Sequence, residues 1–336
     1  MTAAAQSRDM LRHYLEPLRH FLDDVDAQGI TEVCVNRPGE VWTECNAGWV
    51  RHDVPSLSFQ HCFQLAKLIA SYNGTAIRED QPILSAKLPT KERVQIVMPP
   101  ACTEKTISIT IRKPSMLDFS LEELDQQGSF AYVKNASKGL LPFEHELLKL
   151  RDEGRYREFL ELAVKSHRNI IIGGATGSGK TTITKSLIKC IPHTERVITI
   201  EDVHELFLDG YPNKVHLFFR NGADSNFTSQ DALASCVRMK PDRILLAELR
   251  GPETLDYIDS LNTGHPGSIS TIHANSATDV FSRLTSLIKK SPAGLTLDAE
   301  YIRAMCLETV DIVLFYERRK LKEIFYEPER KHSILG

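Results

Sequence analysis

The stretch IIIGGATGSGKTT, residues 170–182, runs from β-branched residues through a glycine-rich turn into helix-compatible sequence. It contains the pattern G-x-x-x-x-G-K-[ST] as Gly174, Gly179, Lys180 and Thr181. Glycines let a backbone wrap its N–H groups around phosphate oxygens, and a helix that starts at the loop's end aims its positive end at them. Gly174, Ala175, Thr176, Gly177, Ser178, Gly179, Lys180, Thr181 and Thr182 are thus expected to cradle a nucleoside triphosphate. Lys180 would neutralise the β- and γ-phosphates, and the Thr181 hydroxyl would hold Mg²⁺.

Downstream and upstream of this loop the texture is the same from about residue 141. NIIIGG, RVITIED, KVHLFF, RILLAE, GSISTIH and DIVLFYE alternate with helix-like segments. Apolar strands with so little polar alternation are buried on both faces, which predicts a mainly parallel sheet covered by helices. Residues 115–140 are polar, broken by Gly128 and Gly139, and read as a connecting arm with one short helix.

The first 114 residues differ. Met10, Leu11, Tyr14, Leu15, Leu18, Phe21 and Leu22 mark one helix face, with Pro17 expected to kink or restart the helix. Short strand patterns ITEVCVN, EVWTEC and WVRHDV follow, separated by turns. A helix capped by Ser58 comes next, then strands in ILSAKLPTKERVQIVM and KTISITIRKPS. The expected organisation is therefore a small α+β domain over 1–114, a linker over 115–140 and an α/β domain over 141–336.

Composition narrows the function class. The chain has 336 residues, 42% hydrophobic and 25% charged, with a net charge of −3. Such a chain has no overall basic field for a large nucleic-acid footprint. No stretch reaches the roughly 20 apolar residues of a membrane span, and the charged N-terminal segment lacks a signal peptide's apolar centre. A cytoplasmic location is expected. Seven scattered cysteines without a C-x-x-C pair argue for reduced thiols rather than disulfides or a zinc ribbon.

A phosphate cradle alone hydrolyses nothing; water must be oriented and charge on the transferring phosphoryl stabilised. Open α/β sheets place such groups at the carboxyl ends of their strands. Three strand ends qualify: VITIEDVHEL with Glu201, Asp202 and Glu205; RILLAELRG with Glu248; and SISTIHANS with His273. Arg238, Arg243 and Arg250 flank the glutamate and read as structural salt bridges, while His204 reads as a surface ring.

These motifs together resemble the ATPases of type IV secretion and conjugation, a family shared with type II secretion and pilus motors. The phosphate loop (173–182), TIEDVHEL (199–206), MKPDRILLAELRG (239–251) and GHPGSISTIHANS (264–276) match in order. The first half is similar through PILSAKLPTKERVQIVMPP and SITIRKPS. The resemblance implies a RecA-like P-loop NTPase domain with a smaller α+β N-terminal domain, ATP and Mg²⁺ as ligands, and a homohexameric ring with nucleotide between the two domains of each subunit. It further implies Glu248 as the residue polarising the attacking water and Glu201 as part of the acidic box near Mg²⁺. Arg93 and Arg112 correspond to N-terminal-domain arginines that reach the phosphates. Implied partners are inner-membrane components and other ATPases of a type IV secretion machine, with peripheral association at the membrane's cytoplasmic face.

Two departures stand out. Ala247 occupies a position where the family that the chain resembles usually has glycine. The strand RILLAE carries no aspartate, which leaves Thr181 to hold Mg²⁺ with Glu201 or Glu248 in its outer shell. His273 has no second histidine or cysteine at ligand spacing and yields the base role to Glu248. It is expected to sense the γ-phosphate or hydrogen-bond to Glu248. Rival readings are a pilus-retraction or type II secretion ATPase, a small-acceptor kinase, a nucleic-acid motor with a RecA-like core, and a nucleotide-gated scaffold. A weak DNA contact on the basic C-terminal hairpin is a further expectation.

Overall fold

The computed structural model describes residues 3–24, 26, 28–114, 119–133, 139–220 and 227–333. Its first half holds α1 (Ala3–Leu22), β1 (Glu32–Val35), β2 (Glu40–Cys45), β3 (Gly48–Asp53), α2 (Phe59–Tyr72), β4 (Ile83–Lys87), β5 (Arg93–Val97) and β6 (Ser108–Arg112). The strands form one sheet in the order β3-β2-β1-β6-β5-β4, antiparallel throughout. Leu11, Leu18 and Phe21 of α1 join Leu65, Ala66 and Ile69 of α2 over Val33, Val35, Ile96 and Ile109 of the sheet. That burial outweighs the backbone bond Pro17 removes, so α1 runs through the proline without a break. Ser58 caps α2 by accepting from the His61 N–H at 3.1 Å.

A short helix, α3 (Leu121–Gln126), follows in the arm, closed by a capping box between Ser120 and Glu123. The second half then comprises α4 (Pro142–Asp152), α5 (Tyr156–Lys165), β7 (Ile170–Gly173), α6 (Lys180–Ile188), β8 (Val197–Glu201), β9 (Lys214–Phe218), α7 (Ser229–Cys236) and β10 (Arg243–Leu246). It ends with α8 (Glu253–Asn262), β11 (Ile269–Ile272), α9 (Asp279–Ile288), α10 (Pro292–Thr296), α11 (Ala299–Thr309), β12 (Ile312–Glu317), β13 (Lys320–Tyr326) and α12 (Pro328–Ser333).

Two strand groups, β10-β8-β9 and β11-β7-β12-β13, are parallel except for the terminal hairpin strand β13. They meet where the Leu249 N–H donates to the Thr271 carbonyl at 2.9 Å, which sets β10 beside β11. The isoleucine run of β7 explains the layering. Ile170 and Ile172 pack with Phe159, Ala163, Leu187 and Ile188 of α5 and α6 on one face. Ile171 points to the other face, into a cluster with Ile258, Phe281, Leu284 and Ile302 of α8, α9 and α11. Both faces are apolar because both are covered, as in an α/β sheet with helices on each side.

The two halves share a seam. The Phe218 N–H donates to the Ala101 carbonyl at 2.8 Å, so the segment before β6 covers the free edge of β9. Elsewhere the first half meets the amino ends of the parallel strands. Trp49 Nε1 donates to Asp242 at 2.9 Å, and Lys240 pairs with Glu44 at 2.7 Å. At the centre of the seam the Arg196 side chain is fully buried. Its guanidinium donates to Asn36 Oδ1 (2.7 Å), Asn213 Oδ1 (2.6 Å) and the Met239 carbonyl (2.9 Å) and lies over the Trp49 ring.

Beside the seam opens a cavity of about 780 Å³ lined by Glu32, Glu44, Lys91, Arg93, Arg112 and Lys240. Glu32 is 1% exposed; Oε1 lies 3.4 Å from Arg112 Nε, and Oε2 has no hydrogen-bond partner among the described residues. Burial pushes its carboxyl from 4.5 up to about 7, against the pull of Arg112 and with a push from Glu44. The folded state therefore keeps a proton that the unfolded chain has already lost, and stability falls as pH rises from about 4.5 to 7. Glu32→Gln should raise the unfolding free energy above pH 7 by on the order of 2–3 kcal/mol and change nothing near pH 4. Denaturant midpoints measured across that range would test this, and a gain that is the same at both ends would refute it.

Candidate active site

The phosphate loop connects β7 to α6. Gly174 has φ +157°, and a Cβ there would stand 2.4 Å from the Tyr316 carbonyl and 2.5 Å from Ser178 Oγ. Gly179 has φ +102° and ends the loop directly before the helix. Both positions exclude a side chain, the first by contact and the second by conformation. The neighbour that imposes the contact is the β12–β13 hairpin, which sequence patterns left unconnected to the loop. Its turn residue Arg319 donates a backbone N–H to the Ser178 carbonyl at 2.8 Å.

Within the loop, Ala175, Thr176 and Gly177 are exposed, while Ser178 Oγ is buried without a hydrogen-bond partner among the described residues. Lys180 Nζ lies across the loop, donating to the Gly174 (2.8 Å) and Ala175 (2.9 Å) carbonyls. Burial holds its ammonium below the ordinary lysine value, with Glu248 pulling it up and Arg250 pushing it down. A cradle that any Cβ would fill, an unpartnered hydroxyl, a lysine and a helix amino end fit a triphosphate. Thr181 Oγ1 is 3.5 Å from Glu205 Oε2, so oxygen donors suited to Mg²⁺ stand at the same end.

Glu248 lies just beyond β10 and is 14% exposed. Arg250 forks onto Oε2 through Nε (2.7 Å) and Nη2 (2.5 Å), and its Nη1 reaches Asp202 at 2.6 Å. His273, just beyond β11 and 45% exposed, brings Nε2 to 2.8 Å from Glu248 Oε1. That is ion-pair distance without hydrogen-bond alignment, since no aligned donor among the described residues reaches this oxygen. The structure thus brings Lys180, Glu248 and His273 to one cleft at the carboxyl ends of β7, β10 and β11. Ala247 turns its methyl to the core cluster beneath the loop, and its carbonyl accepts from Thr271 Oγ1 at 2.9 Å.

Glu201 is placed differently. It is fully buried, and Oε2 accepts the N–H groups of Glu205 and Leu206, both at 2.7 Å. Oε1 accepts from the Thr199 hydroxyl at 2.6 Å. Burial works to raise its carboxyl, yet the bonds from His216, Thr199 and the two backbone N–H groups win and hold it below the ordinary range. Its geometry is that of a staple for the 202–206 turn. The carboxylate of that turn which reaches the loop is Glu205.

Arg93 and Arg112 are register partners on β5 and β6. In this chain they face the cavity with Glu32 and Lys240, near the amino end of β10, and not the phosphate loop at the opposite strand ends. Within one chain this arrangement does not bring the two arginines to the phosphate loop, where the resemblance implied them. The three flanking arginines separate in role. Arg243 is fully buried on Glu195 and the Val164 and Gly267 carbonyls, Arg238 crosses the seam to Ser85, and Arg250 holds Glu248.

Residues 19–303 match the family described as type II/IV secretion system protein. The chain is 45% identical to the type IV secretion system protein VirB11 of Brucella suis biovar 1, over 99% of this chain and 94% of that protein. It is 41% identical to the type IV secretion system protein VirB11 of Bartonella quintana, over 96% and 94%. A crystal structure of the VirB11 ATPase from the Brucella suis type IV secretion system, in complex with sulphate, superposes with a TM-score of 0.90 at 45% identity and covers 96% of this chain and 99% of that one. With its phosphate loop, strand-end glutamate and histidine in one cleft of a RecA-like domain, the chain belongs to the type II/IV secretion system protein family.

Proposed function

We propose that this secretion ATPase hydrolyses Mg-bound ATP in the Lys180–Glu248–His273 cleft and works as a homohexameric ring. In that role it powers protein or DNA export and pilus assembly by a type IV secretion or conjugation machine. The observation that carries the reading is the convergence of loop, glutamate and histidine at three neighbouring strand ends. Glu248 accepts the proton of the attacking water, and Lys180 leaves the loop carbonyls for the phosphates. Thr181 and Glu205 would hold Mg²⁺, which would draw charge from the phosphate oxygens. His273 contacts Glu248 and registers whether a γ-phosphate is present.

Residues 1–114 and 141–336 act as two domains joined by 115–140. Because the chain's own Arg93 and Arg112 open away from its loop, they serve the nucleotide of a neighbouring copy, where two guanidiniums add charge stabilisation only when the copies are docked. Among the described residues no helix is long and apolar enough to cross a membrane. Attachment to the inner membrane's cytoplasmic face then runs through other machine components.

Mixing two inactive proteins tests this assignment. The Arg93→Ala/Arg112→Ala double variant and the Glu248→Gln variant should each hydrolyse little ATP alone. Mixed rings should regain a measurable fraction of turnover, since some sites then combine intact arginines with an intact glutamate. No recovery would place the arginines in their own subunit's site. Full turnover by the double variant would remove them from catalysis, and absence of turnover by the unmodified chain would overturn the ATPase reading.

A further inference from the structure

We propose a second metal site, for a Zn²⁺-class transition-metal ion, formed by Glu201, His204 and His216 behind the acidic turn. His204 Nδ1 and His216 Nδ1 each lie 3.5 Å from Glu201 Oε1. The three ligand atoms all fall within 4.8 Å of one another. A tetrahedral ion with bonds of about 2.0–2.1 Å needs ligand-to-ligand edges of roughly 3.3–3.4 Å. Two edges are already close to that length, and the third closes by a small turn of His204, whose side chain is 37% exposed.

The surroundings resemble a metal shell more than a surface pair. Two backbone N–H groups fix Glu201 Oε2, which leaves Oε1 aimed at the imidazoles. Thr199 Oγ1 donates to Oε1 and orients that carboxylate; it also sits 2.8 Å from His216 Nδ1, a contact the ion would take over. Metal binding would require His216 to carry its proton on Nε2, giving up the Nδ1–H that the Thr199 hydroxyl now accepts. His204 packs edge-on against His216, Phe207 and Phe218, an apolar wall that restrains the ring. A cavity of about 300 Å³, lined by both histidines with Thr103, Thr106 and Asp209, leaves a fourth position open to water. The nearby cations are engaged elsewhere, Lys214 with the Leu208 carbonyl and Arg37 with Glu40.

Two imidazoles and one carboxylate select Zn²⁺ or its neighbours over Mg²⁺, which prefers an all-oxygen octahedron. The ion would tie β8 and β9 to the turn carrying Asp202 and Glu205, so occupancy would set the position of the carboxylate nearest Thr181. The site does not depend on the proposed catalytic roles.

The test uses the full-length, tag-free chain, stripped with chelator and kept in excess Mg²⁺. Titration with Co²⁺ should give one equivalent with the visible bands of tetrahedral cobalt, and Zn²⁺ should displace it and raise the thermal midpoint. His204→Ala and His216→Ala should each weaken binding at least about tenfold. His204→Gln should lose binding while the metal-free protein keeps its thermal midpoint, which separates ligand loss from misfolding. Absence of stoichiometric binding would overturn the proposal. So would binding unchanged in the histidine variants but lost on thiol alkylation, which would place the ion on the partly exposed Cys45 or Cys190.

Discussion

Glu248→Gln is expected to lower ATP turnover by about 10²–10⁴-fold while nucleotide binding stays within a few-fold of the unmodified chain. Glutamine keeps the shape and can still accept from Arg250, so the fork that orients the side chain survives in part. It cannot take a proton from water. Two local charges also respond. Glu248 is the group pulling the Lys180 ammonium upward, so its neutralisation loosens the pairing that balances Arg250 in the cleft. His273 loses the anion 2.8 Å from its Nε2. His273→Ala should reproduce part of this loss, about tenfold or more, because it removes the contact and leaves the base. Single-turnover hydrolysis together with equilibrium binding of a labelled nucleotide separates the two effects. A Glu248→Gln protein that binds ATP weakly and hydrolyses what it binds at the normal rate would assign the residue to binding alone.

The elements of the cleft were legible because the physics that builds them is local. An Ile-Ile-Ile run followed by glycines at fixed spacing reads as a doubly buried strand and a phosphate loop, and the structure has both. The strand ends with Glu248 and His273 could be listed from the same patterns, since burial of the preceding residues forces those polar side chains out at the sheet's edge. What escaped is what only tertiary contacts decide. Nothing within TIEDVHEL says that Glu201 turns inward to its own turn while Glu205 faces Thr181. The Gly174 contact with the Tyr316 carbonyl joins residues 142 positions apart in sequence. Likewise His204 and His216 sit on different elements, so no ligand spacing advertises them. The direction in which Arg93 and Arg112 open depends on how the halves dock, and that is set by a seam whose key residue, Arg196, looked like any charged residue before a strand.

That seam gives the largest expected effect on stability. Arg196→Ala should cost about 3–5 kcal/mol of unfolding free energy. Removing the guanidinium strips donors from Asn36, Asn213 and Met239, and a buried acceptor left without a donor costs about 1–3 kcal/mol. Asn213 is partly spared because Asn36 Nδ2 still donates to its Oδ1 at 3.0 Å. The emptied volume under the Trp49 ring adds a cavity term. Arg196→Lys should fall in between, since one ammonium on a shorter reach cannot span three acceptors held by a planar fork. Hydrogen exchange locates the damage: amides of β1 and β6 should exchange faster, whereas those of β7 and β11, on the far side of the sheet, should change little. The two acidic and basic anomalies of the seam are also linked, because the positive charge of Arg196 acts on Glu32. With that charge gone, Glu32 is harder still to ionise, so Glu32→Gln should stabilise the Arg196→Ala protein at pH 8 by more than it stabilises the unmodified chain. Equal gains in both backgrounds would show that the buried carboxyl does not feel the arginine, and an Arg196→Ala midpoint unchanged from the original would show that the seam is held by its rim pairs, Lys240–Glu44 and Trp49–Asp242.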